Sequence, residues 1–591
     1  MLRSIIVAFL TLLMVSACTS VKPPTVPTPS DITADTLFHQ YSNVMLQEYW
    51  REFPDRAFQV GNFVYADKLR VPDEAARNRE TDFYHRHLTK LGTFDPNTLS
   101  PENQVDLTIL KNELESRRWR ISVLKSWQWQ PSEYDVGEEF ARSFEIVYAP
   151  LDIQLRHILS KLQMVPAYYA AAKSNISRPT VEHVDLAQLQ NKRTLEYVGV
   201  NLVDLLQEST LSADEKTLFE SRLRRAKVAI ADYMEFLGSF AGKNSTVPAR
   251  SFRIGAALYD EKFKFDTQSS FSAQQLYLRA QSEKSKLHES MTKLAMDLWP
   301  KYLTNTVIPS DNLSMIRALI DELSKRHARP ETFVDTIRMQ VKQLEAFIRD
   351  KDLVEPGWMR RLVVRETPSY MRGPYADLSI SIPGHLIGFR ETYYNVPPLR
   401  SLSPVESEAF LRQNNFWALQ IRNIHETIPG RYTQAFHSFS SKNIVKSLFR
   451  NNSMMKGWAA FSEKEMLNAG YGEHAPEMQL FWMKSNLRSA LNVIIDFEMH
   501  TKNLERDTAI QFMQREGIQE EGEAAENWRR ATLVPVELVA NFDGYVETTE
   551  LHEKYLEKFR NDYSIKVFNS KFLSFGSAPV RSIADLLLLS K

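Results

Sequence analysis

The sequence predicts a mostly α-helical body with one small β-sheet, and three observations predict it. Apolar residues recur at three- and four-residue steps along most of the chain after about Thr33. Helix start signals stand ahead of several of those runs. Strand-like patterning is confined mainly to one place, between Ala376 and Val396. A chain of 591 residues is one large or two ordinary domains, long enough to bury a core without staples.

The first element is a leader. Met1-Leu2-Arg3 is a short positive region, Ile5 to Val15 is an apolar run, and Val15-Ser16-Ala17-Cys18 puts small residues at a cleavage point. The apolar run is too short to span a bilayer comfortably. Cys18 is the chain's only cysteine, and its position resembles that of a bacterial lipobox cysteine, which is lipidated and becomes the new N-terminus. Residues 1–17 are then a lipoprotein signal peptide, and Cys18 is the membrane anchor. Thr19 stands where an aspartate would retain the protein in the inner membrane, which points to the outer membrane facing the periplasm. With no second cysteine there is no disulfide, so the body rests on packing alone. Residues 18–33 form a proline-rich tether, Val21-Lys22-Pro23-Pro24-Thr25-Val26-Pro27-Thr28-Pro29-Ser30, that holds the body off the lipid.

The body, 34–591, follows. Helices are expected near 35–53, 101–125, 212–240, 273–299, 311–327 and 331–350, with Pro300 and Pro330 punctuating two of them. The clearest is 212–240, where Ser212 and Glu215 form a capping box. There Phe219, Leu223, Ala226, Ile230, Tyr233 and Leu237 share one face. Two short strands, 376–382 and 386–396, are expected around a Pro383-Gly384 turn. Ser403-Pro404-Val405-Glu406 then starts a helix carrying Trp417, Ile421, Ile424 and Ile428 on one stripe, with His425 beside it. The body divides into an N-terminal helical part, about 34–370, and an active-site-like part, about 371–591. Cations and anions balance at 73 each, which excludes the excess positive charge of a nucleic-acid binder.

His425-Glu426-Thr427-Ile428-Pro429-Gly430-Arg431 is the stretch with chemistry in it. In a zinc peptidase helix, a histidine binds the metal, the following glutamate deprotonates the metal-bound water, and a second histidine four residues on completes the pair. Here position 429 is proline and position 431 is arginine, which cannot lose its proton and so cannot bind zinc. A lone His-Glu pair occurs by chance in any large helical protein. No Gly-x-Ser-x-Gly elbow, Walker loop or dinucleotide glycine pattern offers another catalytic frame.

Further segments gather around that stretch: Trp50-Arg51-Glu52-Phe53-Pro54 with Gly61, Lys456-Gly457-Trp458-Ala459, and Asp496-Phe497-Glu498-Met499-His500. Glu526-Asn527-Trp528-Arg529-Arg530 with Pro535 and Gly544, and Gly576-Ser577-Ala578-Pro579, complete the set. In this order they resemble the bacterial domain-of-unknown-function family 885, peptidase-like proteins with a His-Glu-x-x-Pro-Gly-His motif that belong with the glutamate-zincins. The similarity covers nearly the whole body. It implies a multi-helix zincin-like fold with the small sheet beside a vestigial active-site helix, Glu426 as the former general base and His425 as the remaining metal ligand.

The departures from the family decide the function expected. Arg431 replaces the second histidine, and Lys456 replaces the glutamate that would be the third ligand. Arg530, Glu537 and Asn541 replace a tyrosine, a glutamine and a second tyrosine. Two fixed cations in place of two ligands forfeit most of a metal-binding energy on the order of 10 kcal/mol. Arg431 and Lys456 are therefore expected to stand in the metal's place, with Glu426 in salt-bridge reach of one of them, and Glu463 or Asp496 as further partners. Glu463, Asp496, His500 and Arg529 are candidates to line the substrate cleft, although Asp496–His500 and Arg529 would look the same as an i,i+4 hydrogen bond and a surface ion pair. No cofactor is expected, or zinc if Glu463, His437 or His474 supplies a substitute ligand. Three readings stay open: a non-catalytic envelope lipoprotein that binds a peptide or a protein, an active zinc metallopeptidase with a rearranged site, and a structural envelope scaffold.

Overall fold

Serine and asparagine caps set the helix boundaries as the local sequence dictates. In the computed structural model, which describes residues 33–240, 248–355, 362–368, 371–372, 377–382, 384–387, 391–440 and 444–589, most of the chain is helical. The leader, Cys18 and the tether lie outside the described residues, as does Pro383. The Ser212 capping box closes in both directions and starts the helix Ala213–Gly238, whose buried residues are Phe219, Leu223, Ala226, Ile230, Tyr233 and Leu237. That apolar face contributes on the order of 10 kcal/mol of gross burial energy before ordering entropy is subtracted. Helices Ala34–Glu52, Asn312–Ser324 and Phe333–Lys351 also lie where the periodicity puts them.

Four local expectations are corrected. Pro300 sits inside the helix Ala273–Tyr302, in its last turn, and does not end it. The helix from Pro101 stops at Trp119 and opens into a wider turn over Arg120–Leu124. The helix begun by the Ser403 capping box stops at Gln413; the helix that carries His425 is a second one, Phe416–Glu426, capped by Asn415, whose side chain accepts from the amides of Trp417 and Ala418. The sheet is not a tight hairpin. It has three strands, β1 (Leu362–Glu366), β2 (Ser379–Ser381) and β3 (Thr392–Val396), in the order β1-β3-β2. β2 pairs antiparallel with β3, while β1, which the sequence did not advertise, pairs parallel with it. A single turn of 3-10 helix, His385–Ile387, lies between β2 and β3.

The sheet lies against the His-Glu helix. Tyr394 on β3 is fully buried and donates its hydroxyl to Asn423 Oδ1 at 2.9 Å. Among the described residues the buried apolar side chains form three clusters. The largest runs from Phe38 to Leu587 and joins the first helices to the last. A second belongs mainly to Gly137–Glu145, Leu151–Asn175, Val181–Gly199 and Ala213–Gly238. The third gathers Phe252, Ile495, Met499 and Trp528.

Candidate functional site

Glycine and tryptophan shape the turn that follows His425-Glu426. The helix ends at Glu426, and the Gly430 amide folds back to donate to Ile424 O at 3.1 Å. A Cβ at position 430 would lie 2.1 Å from His425 O, so only glycine allows this approach. Trp458, fully buried, pins the turn by donating Nε1 to Pro429 O at 2.8 Å. The chain then re-enters helix at Arg431–Ser440, which brings the Arg431 guanidinium back onto Glu426. Pro-Gly-Arg thus does by geometry what a regular i,i+4 spacing could not.

The helix Asn452–Asn468 supplies Lys456 and Glu463, and its place is set by another close approach. Gly457 faces Gly544 on the helix Ala540–Lys558, and a Cβ at 457 would meet Gly544 C at 2.1 Å. Two glycines let these backbones touch. The C-terminal Gly576-Ser577 segment closes the same corner, with Gln434 donating to Ser577 Oγ at 3.0 Å and Asn451 N to Ser577 O at 3.1 Å. Gly430, Gly457, Trp458, Gly544 and Ser577 therefore have packing roles here.

The charges are matched one by one. Glu426 is 5% exposed and lies 2.9 Å from Arg431 Nη1 and 3.6 Å from Arg422 Nε. Arg422 also pairs with Asp377 at 2.7 Å. Burial opposes its charge, but Asp377 and Glu426 outweigh burial and hold its pKa above the ordinary arginine value. His425 Nδ1 and Glu463 Oε1 lie 2.6 Å apart. Burial pushes the His425 pKa down and the Glu463 pKa up, both toward neutral forms, against their mutual attraction. Lys456 reaches Glu537 at 3.5 Å; burial lowers its pKa, Glu537 opposes this, and the Arg530 and Arg431 charges add to the lowering.

Glu426 is thus in salt-bridge reach of Arg431, as the residue types suggest. Two other pairings are corrected. Glu463 pairs with His425 and not with a replacement cation, and Lys456 turns to Glu537 because the glycine crossing faces that end of its helix toward the 537–539 turn. Arg422, four residues before Glu426, was legible as an i,i+4 partner and was not singled out.

This donor set does not fit zinc. Arg431 and Lys456 carry no lone pair for a metal, and with Nδ1 bonded to Glu463 the His425 ring has only Nε2 left as a metal-type donor. Among the described residues no three His, Cys, Asp or Glu side chains converge as a metal-holding group, so His437 and His474 do not complete one with His425.

The remaining cleft candidates have partners within the protein. Asp496 is fully buried, accepts from Tyr259 at 2.6 Å and from the Val536 amide at 2.9 Å, and burial raises its pKa to about 7. His500 is also buried and bonds Ala531 O at 3.1 Å; burial lowers its pKa to about 4. No Asp496–His500 hydrogen bond forms; the Tyr259 ring stacks against His500 at 5.8 Å and bonds Asp496 instead. Arg529 makes two bonds of 2.7 Å to Glu526, a partly exposed i,i+3 pair.

Two cavities lie nearby, of about 1320 and 620 Å³. They share Gln59, Arg142, Ile382 and Gly384 in their walls, so they adjoin as the two lobes of a trough bounded by early helices, the sheet region and the segments 447–452 and 534–540. His425, Glu426, Arg431 and Lys456 line neither; Glu537, the partner of Lys456, lines the smaller. Among the described residues no helix is long and apolar enough to cross a membrane.

Residues 54–587 match the family model described as "Bacterial protein of unknown function (DUF885)". A candidate lipoprotein of unknown function from Shewanella oneidensis is similar in structure, with a TM-score of 0.84 and 41% identity, over 93% of this chain and 99% of that one. A second candidate lipoprotein, from Colwellia psychrerythraea, shares the fold at a TM-score of 0.73 and 13% identity, over 94% of this chain and 98% of its own. No curated protein is significantly similar. The chain belongs to this family of bacterial proteins of unknown function.

Proposed function

With membership of that family as the premise, we propose that the protein is a lipid-anchored envelope protein with a peptidase-like cleft that binds a peptide or protein without hydrolysing it. The anchor would be Cys18, read from the leader sequence and supported by the description of two related structures as candidate lipoproteins. One observation carries the non-catalytic reading: the Glu426 carboxylate is buried between Arg431 at 2.9 Å and Arg422 at 3.6 Å. A general base must present a free lone pair to water. Here the carboxylate faces two guanidinium groups, which favour its ionised form but occupy the directions from which water would approach. Outer-membrane placement follows from Thr19 after Cys18 and belongs to the same proposal.

The second reading, an active peptidase, draws support from His425 and Glu463, two metal-type donors 2.6 Å apart. Metal analysis after dialysis, with peptide hydrolysis measured with and without chelator beside Glu426→Gln, separates the two. The expected result is sub-stoichiometric zinc and no chelator-sensitive turnover. Near-stoichiometric zinc, with turnover abolished by chelator and by Glu426→Gln, would overturn the proposal.

A further inference from the structure

The smaller cavity holds more positive charge than its own carboxylates can match. Among the described residues six cations line it, Arg56, Arg117, Arg120, Arg142, Lys262 and Arg450, against Glu113, Asp266 and Glu537, a net three positive charges. Five of the six are paired. Arg117 takes Glu113, Arg120 and Lys262 share Asp266, Arg142 takes Glu138, and Arg56 takes Asp55.

Arg450 is the exception among the described residues. Its Nε donates to Ser447 O at 3.0 Å and its guanidinium lies 5.3 Å from the Phe439 ring centre, so the side chain is held in place. Among the described residues its two terminal nitrogens have no hydrogen-bond or ion-pair acceptor. Burial and the nearby Arg431 both lower its pKa, the signature of a guanidinium without an anion beside it. Asn452 and Ala540, the first residues of two helices, also line the cavity and add the positive ends of their dipoles.

The adjoining larger cavity has the opposite sign. Among the described residues Asp135, Glu138, Glu145, Glu196 and Glu391 line it against Arg142, Arg193 and Arg372, a net two negative charges. The trough therefore changes sign along its length, acidic at one end and basic at the other. A short peptide with free termini has that same polarity.

We propose that the trough takes a peptide by its free carboxylate end, with Arg450 as the carboxylate-binding residue and the amine or a cationic side chain in the acidic cavity. The guanidinium fork suits a carboxylate in two-bond geometry, which a lysine could not reproduce. This rests on the peptide-binding reading above and adds to it the end of the ligand and the residue that holds it. Glu537 joins the two regions, lining the basic cavity while pairing with Lys456. The ligand's carboxylate would thus lie one ion pair away from the sealed His-Glu site.

The test uses the full chain and equilibrium dialysis against a pool of random free-acid hexapeptides and the same pool C-terminally amidated, read by mass spectrometry. Wild-type protein should retain the free-acid pool at least tenfold better. Arg450→Gln should remove that preference, Arg450→Lys should keep part of it, and Lys293→Gln, an exposed cation elsewhere, should keep all of it. Equal retention of the two pools by wild type overturns the carboxylate assignment while leaving peptide binding standing, and needs no variant to fold. If neither pool is retained, the peptide reading fails, and glutarate and inorganic phosphate then decide the carboxylate site by melting temperature. Glutarate stabilisation lost in Arg450→Gln supports a carboxylate site. Absence of that stabilisation, or a larger effect of phosphate, overturns it.

Discussion

Two groups of cations flank Glu537, built from the same residue types and put to opposite use. Around Glu426 each of these positive charges has a carboxylate partner: Arg431 and Arg422 share Glu426, Arg422 also takes Asp377, and Lys456 takes Glu537. Around Arg450 the cations outnumber the carboxylates of the cavity wall, and among the described residues this guanidinium, held by Ser447 O, has no ion-pair partner. The first group is closed, because burying a carboxylate without its cations would cost several kcal/mol. The second is poised, because a fixed cation in a cavity lowers the ordering cost of capturing an anion. Charge content alone does not distinguish a closed cluster of charges from an open one; the pairing does.

That contrast breaks most severely at the helix crossing that positions both groups. Gly457→Ala places a Cβ against the Gly544 backbone, so the helix carrying Lys456 must move away from the segment carrying Glu537. The expected loss is about 3 kcal/mol or more in urea unfolding. Unfolding indistinguishable from wild type would mean the crossing yields freely.

A smaller effect sharpens the closed side. Arg431→Ala leaves Glu426 with only the longer contact to Arg422, and Arg431 is 29% exposed, so about 2 kcal/mol of stability should go rather than the full cost of a buried pair. Adding Glu426→Gln should restore most of it, because the stranded charge is then gone. A thermodynamic cycle of the two changes checks this, and purely additive losses would deny that the arginine serves the glutamate.

A pH-dependent effect concerns Asp496, whose carboxyl pKa is raised by burial to about 7 in the folded protein against an ordinary 3.8. Between those values the folded state holds a proton that the unfolded chain has released. Stability from this group is therefore complete below 3.8 and is lost as pH rises through 7. Lys262 favours the ionised form and Glu537 opposes it, while Tyr259 and the Val536 amide donate to the carboxylate directly. Asp496→Asn removes the titration, so its melting temperature should gain on wild type by about 2 °C between pH 4 and pH 8. Parallel curves would show that residue 496 does not take up the proton.

Much of the fold was legible because helix signals are local. The Ser212 capping box and the six buried residues of its helix are set within one element, where periodicity and cap chemistry suffice. The His-Glu helix was assigned to the wrong start because Ser403 offers a good cap and the break at Asn414-Asn415 has no proline or glycine to announce it. β1 was missed because five residues pairing in parallel with a strand some thirty positions later leave no turn signal.

At the candidate site, the sequence by itself determined which residues could not be metal ligands and that Glu426 would need a cation. Arginine and lysine have fixed chemistry wherever they lie, and the Pro429-Gly430 turn makes Arg431 a short-range partner. Only the tertiary structure decided that Lys456 meets Glu537, that Glu463 meets His425, that Asp496 and His500 turn into the core, and that Arg450 lines a cavity whose carboxylates pair with other cations. Those outcomes depend on how distant helices cross, and a crossing set by two glycines 87 positions apart, 457 and 544, leaves no periodic trace along the chain.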